Sequence, residues 1–310
     1  MSENGEIEEF SHQALFYRGE DEFLDRVARF IRPGLDGGEP VVAAVPGPRL
    51  ELLRAGLDGD AGKVQLIDMA DLGRNPARII PAVSDMVQAY PGRRVHYVGE
   101  PIWAGRSSEE MCEAVRHEAL INLAWSDASM RVLCPYDADA LDEDVIADAQ
   151  RTHPTLVDDG GERASGDFMG HALPDSCERP LPEPPPEAIT LTFGRPDLAQ
   201  LRALVSQQTL AARLGYDQAA DLVLAVNELA TNSVRHAGGH GELRVWRKGD
   251  ELICEVRDDG QIADPLAGRV RPDPAAPAGR GLWMVNQLCD LVEMRTKDAG
   301  TTIRIHATPR

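Results

Sequence analysis

The 310-residue chain has little that would tie it to a membrane, an oxidising compartment or nucleic acid. No apolar run approaches the roughly 20 residues of a membrane-spanning helix. The start, MSENGEIEEF, is acidic and carries no signal-peptide pattern, so a cytoplasmic protein is expected. Cys112, Cys134, Cys177, Cys254 and Cys289 stand singly, without a CxxC pair, which points to reduced thiols. No GxxxxGK[ST] occurs, so a P-loop is excluded. Lysine is scarce, at three of the 32 basic residues, and with abundant Ala, Gly and Pro this suggests a GC-rich bacterial genome.

What is there is acidic and uneven. The formal charge is −19, and residues 1–187 hold 36 acidic against 17 basic side chains, while residues 188–310 hold 15 of each. Phosphate backbones require a basic face, so nucleic acid is a poor partner. Hydrophobic residues make up 43% of the chain, enough for a core in each of two domains.

The first half alternates. Helical patterns over 20–32, 48–56, 76–90, 108–125 and 141–151 are separated by short apolar runs at EPVVAAVPG, KVQLID, RVHYVGEP and MRVLCPYD. That rhythm predicts a parallel α/β sheet covered by helices. DDGGERASGD and PLPEPPPEA then break it, and the Pro cluster reads as a semi-rigid spacer. The expected organisation is a domain over 1–155, a linker over 156–187 and a second domain over 188–310. In the second domain a strand (AITLTFG) precedes helices over 197–214 and 217–237. A hairpin with KGDE at its turn, a Pro-rich loop over 263–279, a helix over 281–290 and a last hairpin follow. Strands on one side and helices on the other predict an α+β sandwich.

Three stretches of the second domain can carry chemistry. In NELATNSVRHAGG, Glu228 and Asn232 share a helix face one turn apart. A sheltered carboxylate can serve as general base, and an amide oxygen suits Mg²⁺. In EVRDDGQI a strand ends at Asp258, an acceptor for an amino group, and Gly260 allows close approach. In PAGRGLWMV, Gly279 and Gly281 flank Arg280 ahead of a helix, where backbone amides can hold an anion. Singly, each has an ordinary reading as a solvated stripe or a turn.

Taken in order, and followed by GTT at 300–302, these boxes resemble the ATPases of gyrase, chaperone and histidine-kinase type, the GHKL superfamily. The resemblance covers about residues 188–310 and implies a Bergerat-type fold binding ATP and Mg²⁺ under a mobile lid. It implies that Asn232 coordinates Mg²⁺, Glu228 is the catalytic base, and Asp258 reads adenine. Gly260, Gly279, Arg280 and Gly281 would line the nucleotide, and Thr302 would support the adenine pocket. After TIRIHA only TPR follows, where gyrase- and chaperone-type enzymes continue into another domain. NELATNSVRHA and GRGLWMV are most similar to the anti-sigma-factor serine kinases. Those imply a sigma factor and an anti-anti-sigma (STAS) protein as partners and leave homodimerisation open. Where that family often has a second glycine, Ile262 stands here, and Pro265, Pro272, Pro274 and Pro277 imply a stiffer lid. A histidine kinase, or an ATP-dependent binding switch without phosphoryl transfer, are the alternatives.

HQALFY, YVGEPIW, HEALINLAW and VLCPYD resemble the MEDS sensory domain over about residues 10–155. That implies a sensing module with a RecA-like or related fold, without ATP because the P-loop is absent. Ligands of parallel sheets bind beyond the carboxyl ends of the strands. Glu100, Trp103, Cys134 and Tyr136 are the candidate pocket for a small-molecule signal there. His12, His117 and Cys134 lack the paired spacing of a metal site, so none is expected. His117, followed by Glu118, is similar to a phosphoacceptor histidine but reads more simply as an ordinary one.

Overall fold

The computed structural model describes residues 10–273, 279–297 and 299–310. Pro274 and Pro277 of the expected lid, and nearly all of the acidic start, lie outside the described residues. The chain divides into two units, Met1–Cys177 and Glu178–Arg310.

The first unit begins with β1 (Ser11–Tyr17), α1 (Gly19–Asp36), β2 (Val41–Val45), α2 (Gly47–Gly56), β3 (Val64–Asp68) and the single turn α3 (Met69–Leu72). It continues through α4 (Ile79–Gln88), β4 (Val95–Gly99), α5 (Ser108–Ala124), β5 (Met130–Asp137) and α6 (Glu143–Thr152). β6 (Thr155–Asp158), β7 (Gly161–Ala164) and the single turn α7 (Asp175–Glu178) follow. The sheet order is β3-β2-β4-β5-β1-β6-β7, parallel except for the β6–β7 hairpin. β2 and β4 are buried along their whole length, as apolar runs in a two-sided parallel sheet should be. Ser107 and Glu110 start α5 with a reciprocal capping box.

Three strands were not expected from the sequence. β1 carries His12 and Gln13, which interrupt the apolar run, yet both are buried. β6 and β7 fall in the segment read as linker. Asp159-Gly160 is a hairpin turn as readily as a flexible break, and β7 is exposed throughout, so no apolar pattern marks it. The sheet of the first unit therefore continues past residue 155.

The second unit contains β8 (Ile189–Gly194), α8 (Leu198–Ala211), α9 (Tyr216–His236), β9 (His240–Lys248), β10 (Glu251–Asp258), α10 (Arg280–Leu288), β11 (Leu291–Lys297) and β12 (Gly300–Ala307). The antiparallel order is β11-β12-β10-β9-β8. α9 turns Leu222, Ala225, Val226, Leu229 and Ala230 into a core that also takes Leu252, Cys254 and Val256 from β10 and Ile303 and Ile305 from β12. Each fully buried Leu or Val contributes about 1.5–3 kcal/mol. Arg235 and His236 in the last turn of α9 complement its dipole, and Gly238 and Gly239, both at positive φ, end it.

The Pro-rich segment is no free spacer. Pro182 O accepts from Arg304 Nη2 at 2.6 Å, and Glu183 Oε2 accepts from Arg244 Nη1 at 3.2 Å. Residues 179–183 thus lie along the outer face of the antiparallel sheet, held by its arginines.

Candidate functional site

The second unit holds a cavity of about 550 Å³ between α9, the end of β10, the loop after it and the start of α10. Asn232, Ser233 and His236 line it from α9, Asp258 and Gly260 from the end of β10, and Gly279 and Gly281 from the start of α10. Asp258 is fixed by two bonds. Its Oδ1 accepts from the Gly260 amide at 2.9 Å, and its Oδ2 accepts from the Ser233 hydroxyl, itself buried on α9. A carboxylate has about four acceptor sites, so lone pairs remain for a ligand.

Glu228 and Asn232 are half-buried on α9. They meet the start of α10 at Gly281, where an added Cβ would lie 3.1 Å from Asn232 Nδ2 and 3.4 Å from Glu228 Oε2. Glycine there keeps the polar pair open. Gly279 caps α10 in the left-handed conformation, φ +94°, which favours glycine. Arg280 opens the helix with an exposed side chain and is not among the residues lining the cavity. Gly260 sits against Ala237, which a Cβ would approach to 2.8 Å, so its close packing is with the end of α9.

Thr302 is elsewhere. Strand side chains alternate, and Thr301, Ile303 and Ile305 face the helices while Thr302 and Arg304 face outward. The residue lining the cavity is Thr301, whose hydroxyl donates to Gly260 O at 2.8 Å and contacts Thr296 Oγ1 at 3.0 Å. The expectation is off by one residue because GTT offers two adjacent threonines and only the register decides between them. Ile262 lines the cavity and packs on the core. The loop is anchored where Asn286 Nδ2 donates to Gly268 O at 2.9 Å.

The four residues expected to form one sensor pocket separate in the first unit. Glu100, just beyond β4, is buried and pairs with Arg49 at 2.9 Å while accepting from the Tyr17 hydroxyl at 3.0 Å. Arg49 also bonds Asp137 Oδ2 at 2.9 Å. Burial pushes Glu100 up to about 8, against the opposing pull of Arg49 and Tyr17. Trp103 instead stacks under Arg106, 3.7 Å from ring centroid to guanidinium. Cys134 and Tyr136 are spaced to face the opposite side of β5 from Asp137. Cys134 lies against His12 and Glu118, and the Tyr136 ring is edge-on to His153 with centroids 5.5 Å apart. Arg49, Tyr17 and Asp137 were not foreseen, although all three sit at or near strand carboxyl ends.

His12 and Cys134 are brought together, with Glu118 and His153 in place of His117. Burial and the adjacent His153 hold His12 down at about 4. His117 is itself buried, with its ring edge-on to Trp125, which is no position for an accessible phosphoacceptor.

Residues 11–154 match the family model of the methanogen/methylotroph, DcmR sensory domain, MEDS. Residues 195–307 match that of the histidine kinase-like ATPase domain. The chain is 34% identical over 134 residues to serine-protein kinase RsbW of Halalkalibacterium halodurans, covering 38% of this chain and 81% of that relative. The crystal structure of the RsbU and RsbW domains of Rv1364c from Mycobacterium tuberculosis aligns with a TM-score of 0.28 and 18% identity, over 39% of this chain. The chain spans about a third of that solved neighbour, 34% of its length. No helix among the described residues is long and apolar enough to cross a membrane. With its ATPase-like module preceded by a MEDS sensory domain, the chain belongs to the RsbW-type family of anti-sigma-factor serine kinases.

Proposed function

We propose that the second unit is a Bergerat-type ATP-binding module that transfers phosphate to a serine of an anti-anti-sigma (STAS) protein and sequesters a sigma factor. It would act in the bacterial cytoplasm under control of the sensory domain. The observation that carries the reading is one cavity lined by Asp258, Asn232, Gly279 and Gly281, with Glu228 beside Asn232 against Gly281.

The residues fit the group. Asp258, held by the Gly260 amide and Ser233, keeps acceptor capacity for an exocyclic amino group. Asn232 offers an amide oxygen of the hard type that Mg²⁺ takes. Gly279, Arg280 and Gly281 open α10, and backbone amides at the start of a helix suit phosphate oxygens. Thr301, not Thr302, supports the turn that carries Asp258 and Gly260. Bound Mg-ATP would supply the transferable phosphoryl group and neutralise its developing charge. Glu228 would accept the proton of the attacking serine hydroxyl, and its half-buried setting beside Gly281 suits that task.

Calorimetry with Mg-ATP tests the binding half. Asn232→Ala and Asp258→Ala should each weaken affinity at least tenfold, while Glu228→Gln should retain it. Radiolabelled ATP tests the chemistry. Acid-stable phosphate on a serine of the partner supports the kinase, acid-labile phosphate a histidine kinase, and ATP binding with no transfer a pure switch. Transfer that persists unchanged in Glu228→Ala would remove Glu228 as the base.

A further inference from the structure

Beneath the helices of the sensory domain, four donor atoms converge: His12 from β1, Cys134 from β5, Glu118 from α5 and His153 from just after α6. All lie within 4.8 Å of one another, and all four residues are buried. Glu118 Oε2 is 3.1 Å from His12 Nε2, 3.4 Å from His153 Nε2 and 3.3 Å from Cys134 Sγ. Cys134 Sγ is 3.5 Å from His12 Nε2. Metal–ligand bonds of about 2.0–2.3 Å to N, O and S ligands place the corners of a tetrahedron roughly 3.3–3.6 Å apart. Four of the six separations in the cluster, at 3.1–3.5 Å, are close to that spacing, and all lie within 4.8 Å.

The surrounding hydrogen bonds decide which atoms carry protons. Asn122 Nδ2 lies among four carbonyl oxygens, of Glu118, Ala119, Thr152 and Gly170, at 2.8–3.3 Å. Its orientation is therefore fixed, and its Oδ1, 3.0 Å from His12 Nδ1, can only accept. His153 Nδ1 is 2.8 Å from the Ala149 carbonyl, again an acceptor only, and 3.0 Å from the Thr152 hydroxyl, which gives its own proton to the Asp148 carbonyl. Both imidazoles thus hold a proton on Nδ1, and both Nε2 lone pairs in the neutral rings point inward. There they meet a carboxylate and a thiol. The thiol proton can serve one of these acceptors, and the others then face one another at hydrogen-bond distance with nothing between. His153 Nε2 and Glu118 Oε1 have no hydrogen-bond partner although buried. Orphaned acceptors of this kind are costly in a dry interior.

We propose that His12, Glu118, Cys134 and His153 form a closed tetrahedral site for a divalent ion of the zinc class. Two neutral imidazoles, one carboxylate and one thiolate sum to a charge of about −2, which a divalent cation cancels, so the loaded site is neutral and can be buried. Asn122 and the Ala149 carbonyl then act as the outer partners that hold ligating histidines in place. Thiolate, imidazole and carboxylate together favour zinc over magnesium or calcium. Four protein ligands leave no corner for substrate, so the ion fastens two strands and two helical segments of the sensory domain. This site is independent of the nucleotide cavity, and either proposal can fail alone.

The test uses the full-length chain, purified without chelators. Metal analysis should find about one zinc per chain, and a chelator should lower the unfolding temperature of the sensory unit. After stripping and reloading with Co²⁺, the protein should show the intense visible bands of tetrahedral cobalt and a thiolate-to-cobalt charge-transfer band. Cys134→Ser should abolish that band and weaken Zn²⁺, measured against a chromophoric chelator, at least tenfold. Glu118→Gln preserves shape and serves if Cys134→Ser does not fold; it should shift the cobalt bands and weaken binding similarly. Absence of zinc and of cobalt bands in folded wild type would overturn the proposal. So would a charge-transfer band that survives Cys134→Ser, because another thiol would then be the ligand.

Discussion

Buried histidines occur in both units, and their surroundings ask for different things. On the outer face of the antiparallel sheet, His306 has a carboxylate at each nitrogen, Glu251 at 3.2 Å from Nδ1 and Glu293 at 3.0 Å from Nε2. Nε2 is hydrogen-bonded to Glu293, and Nδ1, without a hydrogen bond, lies within ion-pair distance of Glu251, so the protonated ring suits both carboxylates. Burial opposes that charge, but the pull of Glu251 and Glu293 outweighs it and pushes His306 up to about 9. In the sensory domain His12 and His153 spend their Nδ1 protons outward and turn bare nitrogens toward a thiol and a carboxylate. There the partner we propose is a cation. The same side chain is a proton holder or a metal ligand according to whether its second nitrogen meets one acceptor alone or several converging donors.

The largest effect expected from disturbing the His306 side is Glu293→Leu. Glu293 is buried, and removing it leaves a buried imidazolium with Glu251 alone. Breaking one side of a buried charged pair costs about 3–5 kcal/mol. Scanning calorimetry of the full chain, following the transition that Mg-ATP raises, should show this as a marked fall at pH 7. A transition that stays in place would mean that His306 is neutral and held by packing.

A smaller effect follows from pH alone. The folded pKa of about 9 lies above the ordinary value of 6.5. The stabilisation is therefore complete below pH 6.5 and is lost as pH rises through about 9. At 1.36 kcal/mol per unit this amounts to about 3 kcal/mol. Wild type should lose that much between pH 6.5 and 9.5, and His306→Gln should lose less. Equal losses in the two proteins would place the pH response elsewhere.

The two sites also differ in how far the chain announces them. At the ATP-type cavity, Glu228 and Asn232 are one turn apart on α9, and Asp258 and Gly260 share one turn. Such groups are fixed relative to one another by local geometry, so their spacing is visible in the sequence. The metal-type cluster draws its four ligands from four elements, and only the packing of α5 and α6 onto β1 and β5 assembles it. Pairwise spacing therefore argued against a metal at His12 and Cys134. The alternation of strands and helices from residue 20 onward was legible for the same local reason. β1 and the β6–β7 hairpin were not, since polar residues of β1 find partners only in the fold and β7 buries nothing. The sensor residues failed likewise, because being at strand ends does not say which face of the sheet a side chain takes.

The smallest expected effect probes register within one strand. Thr301 and Thr302 are adjacent on β12, pairing with Asp258 and Arg257 of β10. A one-residue step moves a side chain from one face of a sheet to the other. Thr301 lines the cavity and donates to Gly260 O, whereas Thr302 faces the outer side near the Pro-rich segment. Valine matches threonine in shape and removes only the hydroxyl. Thr301→Val should free the turn that presents Asp258, at a cost of about 1 kcal/mol, or roughly fivefold in Mg-ATP affinity. Thr302→Val should leave that affinity unchanged, because its hydroxyl is on the far side of the sheet from the nucleotide. Calorimetry on the two variants separates the cases. If Thr302→Val were the weaker binder, the strand would have to run one residue out of its observed register, and the inward positions of Ile303 and Ile305 in the core would be wrong with it. Equal, undiminished binding in both would instead show that Asp258 is held by Ser233 and the Gly260 amide without help from the threonine.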